Sequence, residues 1–266
     1  MKIIVCLKQV PDTSDVRIDP ETHTLIREGI PSIINPFDMY AIEEALRLKE
    51  KFGGKVTALT LGPPQSLKAL TEAVAMGADE AIQLSDRAFA GSDSWATSYT
   101  LALAIRKLGE FDLVLCGKQA IDGDTGQVGP GIASQLGIAQ LTYVFKIVNL
   151  DPEARLITVE RLLEEGREIV EARLPALLTV LKDINQPRTA SFIKIRDASK
   201  KNIPTWSAAD LPGVDPAMLG LKGSPTQVIQ IFTPPMRTGG AQLIEAGTVR
   251  ESAALLADKI IAEKII

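Results

Sequence analysis

Cysteine and histidine are scarce in this sequence. Two cysteines and one histidine, His23, occur in 266 residues. Cys6 and Cys116 both lie in apolar strand-like runs, so we expect buried, reduced thiols in preference to a disulfide or a redox pair. His23 has no second histidine to help it bind a metal, and we expect it at the surface. The sequence therefore predicts no metal site and a reducing, cytoplasmic compartment.

Long apolar runs, excess positive charge and the common nucleotide motifs are also missing. No run of about 18 apolar residues is present, which argues against a membrane span, and no cleavable signal follows the N-terminal strand. A formal net charge of −4 and a pI near 5.3 argue against nucleic acid as the main partner. No GxGxxG follows the first strand, and no Gly-Lys-Ser/Thr completes a P-loop. The sequence therefore lacks the fingerprints of NAD-dependent dehydrogenases and of P-loop proteins.

A glycine-rich stretch, GKQAIDGDTGQVGPG at residues 117–131, is the most informative part of the chain. It follows an apolar run at 113–116 and precedes a short helical pattern that ends at Gly137. Glycines let backbone N–H groups approach a phosphate closely, and the following helix adds its positive end. An EF-hand is excluded because Gly126 and Ala133 occupy later ligand positions. We predict a site for a phosphate-bearing ligand, with a plain surface loop as the alternative.

Strand and helix patterns alternate along the first half of the chain. Apolar strand-like runs are separated by helical patterns of roughly ten to fifteen residues, which predicts βαβ units. We therefore expect an α/β fold with a doubly wound, mostly parallel sheet. Right-handed crossovers place the strand ends at one edge, so Lys8, Leu61 and Gly117 should converge. Asn35 suits the N-cap of the next helix, and the sequence leaves open whether its side chain caps that helix or contacts a ligand.

The pattern changes after Gly137. Strand-like segments at 140–149, 156–163 and 168–173 predict an antiparallel meander that extends the sheet. Residues 183–240 contain seven prolines and little helical periodicity, which predicts an extended arm over a surface. Basic residues within it form either a solvated charge run or a docking surface.

The end of the chain is strongly helical. From Thr248 to Ile266, apolar residues recur at helical spacing and mark a face that must be buried. This helix packs either on its own domain or on another subunit, and the sequence leaves both arrangements open.

Several separate motifs in this order resemble the β subunit of electron transfer flavoproteins along nearly the whole chain. They are CLKQVPD at 6–12, NPFD at 35–38, GKQAID at 117–122, VER at 159–161, PALLT at 175–179 and NQPR at 185–188. Glu165 is one departure, because glycine or aspartate is usual there in the family. It lies in a predicted hairpin turn, so only the turn geometry is affected.

The resemblance implies a heterodimer with an α subunit that binds one FAD. It implies an α/β nucleotide- or flavin-binding domain at 1–183, an extended arm with a partner-recognition loop at 184–240, and a C-terminal helix at 241–266 that packs on the partner subunit. The implied nucleotide contacts are Cys6, Asn35, Pro36, Phe37, Asp38, Leu61, Gly117, Lys118, Gln119, Asp122, Gly123, Asp124, Thr125, Gly126, Gln127, Val128 and Gly129. The implied contacts with a partner dehydrogenase are Arg188, Phe192, Ile193, Lys194, Ile195 and Lys200, with Phe192 as the apolar anchor.

The loop sequence bears on which nucleotide the resemblance implies. Family members with one flavin carry AMP and a loop like DDDxNQT, whereas electron-bifurcating members carry a second FAD and a loop like DGDTxQVGP. This chain has DGDTGQVGP at 122–130, which matches the second pattern. Glycine at 123 and 126 removes one negative charge and two side chains, which leaves backbone N–H groups room for a pyrophosphate. We expect FAD, with AMP as the alternative.

The function implied by the resemblance is flavin-based electron bifurcation. NADH would reduce the β-subunit FAD, which sends one electron to ferredoxin or flavodoxin. The other passes through the α-subunit FAD to an acyl-CoA dehydrogenase or a similar partner. No general acid or base is required, so no catalytic residue is predicted. An ATP-handling enzyme would need a motif such as SGGxDS, which this sequence lacks. The remaining alternative is a single-electron shuttle that carries structural AMP.

Overall fold

The computed structural model describes residues 1–12, 31–229 and 240–264. By their internal contacts the residues divide into two compact units, Met1–Gln230 and Ile231–Ile266, and each is described by itself. His23, predicted to lie at the surface, falls outside the described residues.

The described residues contain eleven strands and seven α-helices. The strands are β1 (Lys2–Cys6), β2 (Gln9–Pro11), β3 (Ser32–Ile34), β4 (Lys55–Leu61), β5 (Glu80–Leu84), β6 (Leu113–Gly117), β7 (Ala139–Asp151), β8 (Leu156–Leu163), β9 (Gly166–Arg173), β10 (Ala176–Val180) and β11 (Thr205–Trp206). The helices are α1 (Pro36–Phe52), α2 (Leu67–Met76), α3 (Ser94–Leu108), α4 (Val128–Leu136), α5 (Phe192–Ala198), α6 (Gly220–Gly223) and α7 (Val249–Ala262).

Nine of these strands form one sheet in the order β11-β5-β4-β1-β6-β10-β7-β8-β9. Every neighbouring pair from β11 to β7 is parallel, and β8 and β9 continue from β7 as an antiparallel meander. The short strands β2 and β3 pair separately as an antiparallel ribbon. The α/β fold with a mostly parallel sheet and an antiparallel extension, predicted from the sequence, is confirmed.

Apolar helix faces cover the sheet on both sides. Ile42 of α1 and Leu70 of α2 belong to the core on one face, while Ile105 of α3 and Ile132 of α4 belong to the core on the other. The central strands are buried on both faces, which explains their nearly continuous apolar runs. The sheet is therefore doubly wound, and the parallel strands all end at the same edge.

The segment after β10 packs with the sheet in the first unit. β11 pairs in parallel with β5 at the far edge of the sheet, and α5 packs against α2. The extended arm expected at 183–240 therefore contains regular structure as far as α6, which ends at Gly223. The spacing of apolar residues in the sequence did not predict α5, because a helix of seven residues makes only about two turns. Its start is set by Ser191, whose hydroxyl accepts a hydrogen bond from the Lys194 N–H.

The second unit contains the helix α7. Thr248 caps it by accepting a hydrogen bond from the Glu251 N–H, and the Thr248 hydroxyl donates to the Glu251 carboxylate. Within this unit none of its residues is buried, and apolar residues such as Val249 and Ile261 are exposed.

Candidate functional site

Two strand ends and the start of α1 come together at the carboxyl edge of the sheet. Residues 7 and 8 follow β1, and the glycine-rich loop 118–127 follows β6, directly beside β1 in the sheet. Asn35 and α1 lie against both, because the backbone N–H of Asn35 donates to the carbonyl of Lys8 at 2.8 Å. Leu61 at the end of β4 lies on the other side of β1. The predicted convergence of Lys8, Leu61 and Gly117 is confirmed by this strand order.

Asn35 holds the start of the glycine-rich loop. Its amide nitrogen donates to the carbonyl of Gln119 at 2.9 Å, and its amide oxygen accepts from the Ile121 N–H at 3.1 Å. The residue is 1% exposed, so both polar ends are satisfied inside the protein. Although Asn35 is the N-cap of α1, its side chain makes no capping hydrogen bond. Its side chain orders the loop, a role that the sequence did not distinguish from capping or ligand contact.

Asp38 joins the ends of two neighbouring strands. One carboxylate oxygen accepts the Lys8 N–H at 2.7 Å, and the other accepts the Gly117 N–H at 3.0 Å. Burial raises the pKa of Asp38 to about 7, against the lowering effect of its hydrogen bonds with Lys8, Asn35 and Gly117. Asp38 is buried next to the loop, and each of its carboxylate oxygens already accepts a backbone hydrogen bond.

The stability of the chain should depend on pH through Asp38. Because its pKa is raised in the folded state, the folded protein binds more protons than the unfolded chain between pH 4 and 7. The associated stability is present at low pH and is lost as pH rises through about 7. Between pH 5 and 8 we expect the free energy of unfolding to fall by about 2–3 kcal/mol from this group. Urea unfolding should show this slope in the unmodified chain and not in Asp38→Asn; parallel pH profiles would contradict the assignment.

Three glycines allow close contacts around the loop. A Cβ on Gly117 would lie 2.4 Å from an Asp38 oxygen and 2.6 Å from the Phe37 backbone. A Cβ on Gly129 would lie 2.6 Å from Thr179, and one on Gly131 would lie 2.4 Å from the Ser98 hydroxyl. These positions therefore bring β6 against α1, and α4 against both β10 and α3. Gly123 and Gly126 differ, because nothing lies within 3.4 Å of a Cβ at either position.

The loop presents a set of unpaired backbone donors. In the described part of the chain, five N–H groups between residues 123 and 129 donate to no protein acceptor: those of Gly123, Thr125, Gly126, Val128 and Gly129. Two of them belong to the first turn of α4, where the helix dipole is positive. Gly126 has the left-handed φ of 63°, a conformation found in backbone anion-binding nests. This arrangement suits the oxygens of linked phosphates.

The two loop aspartates already have partners within the chain. The Lys8 ammonium contacts both oxygens of Asp122 at 2.6 and 2.8 Å. Gln119 donates to the Asp124 carboxylate, and the Asp124 N–H donates to the Ala120 carbonyl. The carboxylates thus order the loop, and Lys8 neutralises one of them. Lys8 was not among the predicted site residues, although it lies within the CLKQVPD motif.

A cavity of about 450 Å³ opens beside the loop. It is bordered by Gly126 and Pro130 on the loop side and by β7, β8 and β10 on the other. Its remaining lining residues are Lys118, Gln140, Thr142, Tyr143, Arg161 and Thr179. The sequence interpretation included only Lys118 and Gly126 of this set. The VER motif contained Arg161, and the predicted meander pairs β7 with β8, but the register of that pair and the position of β7 beside β10, which bring Arg161 to the cavity, are not visible in the sequence.

Arg161 and Lys118 are the two cationic side chains that line this cavity. The Arg161 guanidinium donates to the Thr142 carbonyl at 2.7 Å, to the Thr142 hydroxyl at 2.9 Å and to Glu168 at 2.9 Å. The Lys118 ammonium lies 5.3 Å from the centre of the Tyr143 ring. The Thr179 hydroxyl accepts a hydrogen bond from the Tyr143 N–H. This bond holds β7 at Tyr143, whose backbone φ is 57°. The cavity therefore has fixed polar groups next to an aromatic ring.

The remaining predicted nucleotide contacts lie around the glycine-rich loop. Cys6 and Cys116 are register partners on β1 and β6, and both thiols are free and buried. The neighbouring Cys6 and burial raise the pKa of Cys116, which keeps it protonated. Gln127 is held from α3, because the Ser94 hydroxyl donates to its side chain at 2.8 Å. Pro36 and Phe37 form the first turn of α1 beside Gly117. Which of these residues touch a ligand stays a prediction.

The predicted partner-binding residues lie at or near α5. Phe192 is 79% exposed, and Ile193 and Ile195 are also exposed on the same short helix. Lys194 and Lys200 are exposed beside them. Arg188 is directed into the chain, where its guanidinium pairs with Glu43 and Glu50 on α1. The pairing lowers the pKa of Glu50 and fixes the chain four residues before α5 begins.

The fold and the loop together define a class of protein. A doubly wound sheet with a glycine-rich, amide-presenting loop at its carboxyl edge is typical of nucleotide-binding α/β domains. Residues 22–211 match the sequence model described as the electron transfer flavoprotein domain, and the chain belongs to the electron transfer flavoprotein family.

Curated relatives place the chain among the β subunits. It is 51% identical to the electron transfer flavoprotein subunit beta of Clostridium acetobutylicum, with all of both chains covered. It is 50% identical, again over both full lengths, to the caffeyl-CoA reductase-Etf complex subunit CarD of Acetobacterium woodii. Protein FixA of Azorhizobium caulinodans is 47% identical over 97% of this chain and 93% of its own. A β subunit of this family takes part in electron transfer and implies an α-subunit partner.

Among the helices of residues 1–12, 31–229 and 240–264, none is both long and apolar enough to cross a bilayer.

Proposed function

We propose that this chain is the β subunit of an electron-bifurcating electron transfer flavoprotein and binds FAD at the loop 117–129. When bound, the flavin would accept a hydride from NADH and pass single electrons to ferredoxin or flavodoxin and, through an α-subunit FAD, to an acyl-CoA dehydrogenase or a similar partner. The protein supplies position and electrostatics for this chemistry. The proposal rests on the loop, its neighbouring cavity and the family to which the chain belongs.

The observation that carries the proposal is the position of the open cavity next to the unpaired amides. Five free N–H groups offer more donors than one phosphate needs, and they suit two linked phosphates. Beyond Gly126 the site does not end at protein, because the 450 Å³ cavity continues toward β7. Pockets of this size hold small organic ligands. FAD continues beyond its two phosphates with a second group that this cavity could hold, whereas AMP ends at its single phosphate.

The electrostatics of the loop support the same ligand. Lys8 neutralises Asp122, and Gly123 adds no carboxylate where the AMP-type loop has one. Lys118 adds a positive charge at the cavity, where the charge of Arg161 is paired with that of Glu168. Two adjacent phosphate charges are therefore met by donors and cations in excess of free carboxylates. Lys8, the loop amides and α4 would hold the pyrophosphate, and Lys118, Tyr143 and Arg161 would face the group beyond it.

The partner surfaces complete the proposal. The exposed α7 helix, with no buried residue of its own, is proposed to pack on the α subunit. CarD takes its name from a caffeyl-CoA reductase complex, which favours an acyl-CoA dehydrogenase type of partner for this chain as well. The exposed apolar residues of α5 are proposed to dock that partner. We also propose the three-part division at 1–183, 184–240 and 241–266 as a functional one: site, recognition and attachment.

The flavin content of the heterodimer tests the proposal. The chain is co-expressed with its α subunit, the bound cofactors are extracted, and FAD and AMP are quantified per heterodimer. We expect two FAD and loss of the oxidised flavin absorbance on titration with NADH. One FAD with one AMP, and no response to NADH, would reject bifurcation in favour of a single-electron shuttle.

The anchor Phe192 provides a separate test of the docking surface. Phe192→Ser should weaken binding to the partner dehydrogenase by about tenfold to a hundredfold, because exposed aromatic anchors carry much of an interface's binding energy. The flavin content should not change, since α5 lies outside the loop. Ile169→Ser, on the 71% exposed Ile169 of β9, is the matched control and should bind the partner normally. Equal affinities of both variants and the unmodified protein would exclude α5 as the anchor.

A further inference from the structure

Asp93 receives hydrogen bonds from two distant parts of the chain. One carboxylate oxygen accepts the Trp95 and Ala96 N–H groups at 2.9 and 3.0 Å and so caps α3. The other accepts the N–H and the hydroxyl of Thr226 at 3.0 and 2.8 Å. The Asp93 N–H in turn donates to the Ser224 hydroxyl at 2.8 Å. A single side chain therefore joins the start of α3 to the last described part of the arm before residue 230.

The arm is brought to Asp93 by close backbone packing. The Leu221 N–H donates to the Ala90 carbonyl at 2.9 Å, and Ser224 donates to the Gly220 carbonyl. A Cβ on Gly220 would lie 2.4 Å from the carbonyl oxygen of Ala88, so this contact requires glycine. The arm therefore packs directly against the turn that precedes α3.

The N-terminal part of α3 contacts the glycine-rich loop and the start of α4 directly. The Ser94 hydroxyl donates to the Gln127 side chain at 2.8 Å, and the Ser98 hydroxyl lies 3.2 Å from the Val128 carbonyl. Gly131 lets α4 approach Ser98 so closely that a Cβ there would clash with its hydroxyl. The position of this part of α3 therefore helps to set the start of α4, where the Val128 and Gly129 N–H groups lack protein partners.

We infer that Asp93 is a positioning residue that couples the attachment of the C-terminal arm to nucleotide binding at the loop. Hydrogen bonds from Thr226 and to Ser224 hold the arm, and the same residue fixes the α3 turn that orients Gln127 and α4. A bound nucleotide that orders the loop should therefore strengthen the arm's attachment, and a detached arm should loosen the nucleotide by the same factor. The inference rests on nucleotide binding at the loop but not on the choice between FAD and AMP.

The test removes the arm's two side-chain hydrogen bonds at Asp93 and leaves in place the helix cap and the hydrogen bond from the Thr226 N–H. Thr226→Val combined with Ser224→Ala abolishes the side-chain hydrogen bonds at Asp93 while Trp95 and Ala96 still donate to it. In the complex with the α subunit, excess ADP should displace the co-purifying nucleotide about fivefold to tenfold faster than from the unmodified protein. Thr226→Ser keeps the hydroxyl and, with Ser224 intact, should restore the slow rate.

A second measurement separates coupling from a purely structural role. Hydrogen exchange followed by mass spectrometry should show faster exchange of the loop peptide 118–131 in the double variant, in addition to the arm peptide 218–229. Thr205→Val is the control, because Thr205 lies in the same arm and bonds Gln83 without touching Asp93. Faster exchange confined to the arm, with an unchanged displacement rate, would overturn the coupling. If the unmodified complex carries no nucleotide, the proposed function fails, but the loop exchange still decides the coupling.

Discussion

Replacing Gly123 with Asp and Gly126 with Asn is expected to convert the FAD site to one that holds a single phosphate. A carboxylate and a phosphate charge at a separation of about 6 Å repel each other by about 3 kcal/mol at an effective dielectric constant near 20, which corresponds to about a hundredfold in affinity. Gly126 has a left-handed backbone, which Asn tolerates better than most residues. Extracted heterodimers should contain one FAD instead of two, with AMP in the β subunit.

The control for this prediction separates charge from volume. Gly123→Ala with Gly126→Asn adds side-chain atoms and no charge, and the space around a Cβ at 123 is open. Its FAD content should stay closer to that of the unmodified protein. Both double variants should have nearly unchanged thermal midpoints, since nothing in the chain contacts these positions closely. Two FAD retained in the Asp variant would show that the loop does not select the nucleotide.

Gly117→Ala is expected to destabilise the folded chain by about 2–3 kcal/mol. The new Cβ would meet an Asp38 oxygen at 2.4 Å and the Phe37 backbone at 2.6 Å, so α1 and β6 must move apart. That movement also strains the hydrogen bond from Gly117 to Asp38, whose burial makes an unsatisfied group costly. Urea unfolding should show a lower midpoint, and nucleotide retention should fall because Asn35, which holds the loop, borders the same helix start.

Gly123→Ala is the matched control for stability. Its φ lies outside the left-handed region and no atom lies within 4 Å of a Cβ, so the same chemical change should shift the free energy of unfolding by less than about 0.5 kcal/mol. Equal unfolding midpoints for the two alanine variants would mean that the close approach of β6 and α1 is not required for the fold.

Local patterns in the sequence were enough to predict most of the architecture. The buried runs of β1, β4 and β6 and the helix stops at Gly53, Gly77 and Gly137 are local signals, because helix periodicity and capping depend on neighbouring residues. Asp93 is the N-cap of α3, where its side chain accepts the Trp95 and Ala96 N–H groups. Ser66 precedes α2 without capping it, since its hydroxyl donates to the Pro63 carbonyl and accepts from the Gln83 side chain.

The candidate site was predicted in outline and not in its internal roles. The glycine-rich loop was placed correctly after β6, but the contacts through which Asn35, Asp38 and Asp122 support the loop and its flanking strand were not predicted. Their partners are distant in sequence: Asn35 and Gln119 are separated by 84 residues, and Lys8 and Asp122 by 114. Such pairs form only when parallel strands bring their ends together.

By itself the amino-acid sequence determined the α/β class, the order of its elements, the family and the loop whose glycines leave room around the backbone, because each of these depends on residue types at short spacing. Only the tertiary structure decided which side chains hold that loop, where the cavity beside it opens, and that the arm returns to Asp93. Those features arise from contacts between residues as far as 133 positions apart, which packing brings together and which no local pattern specifies.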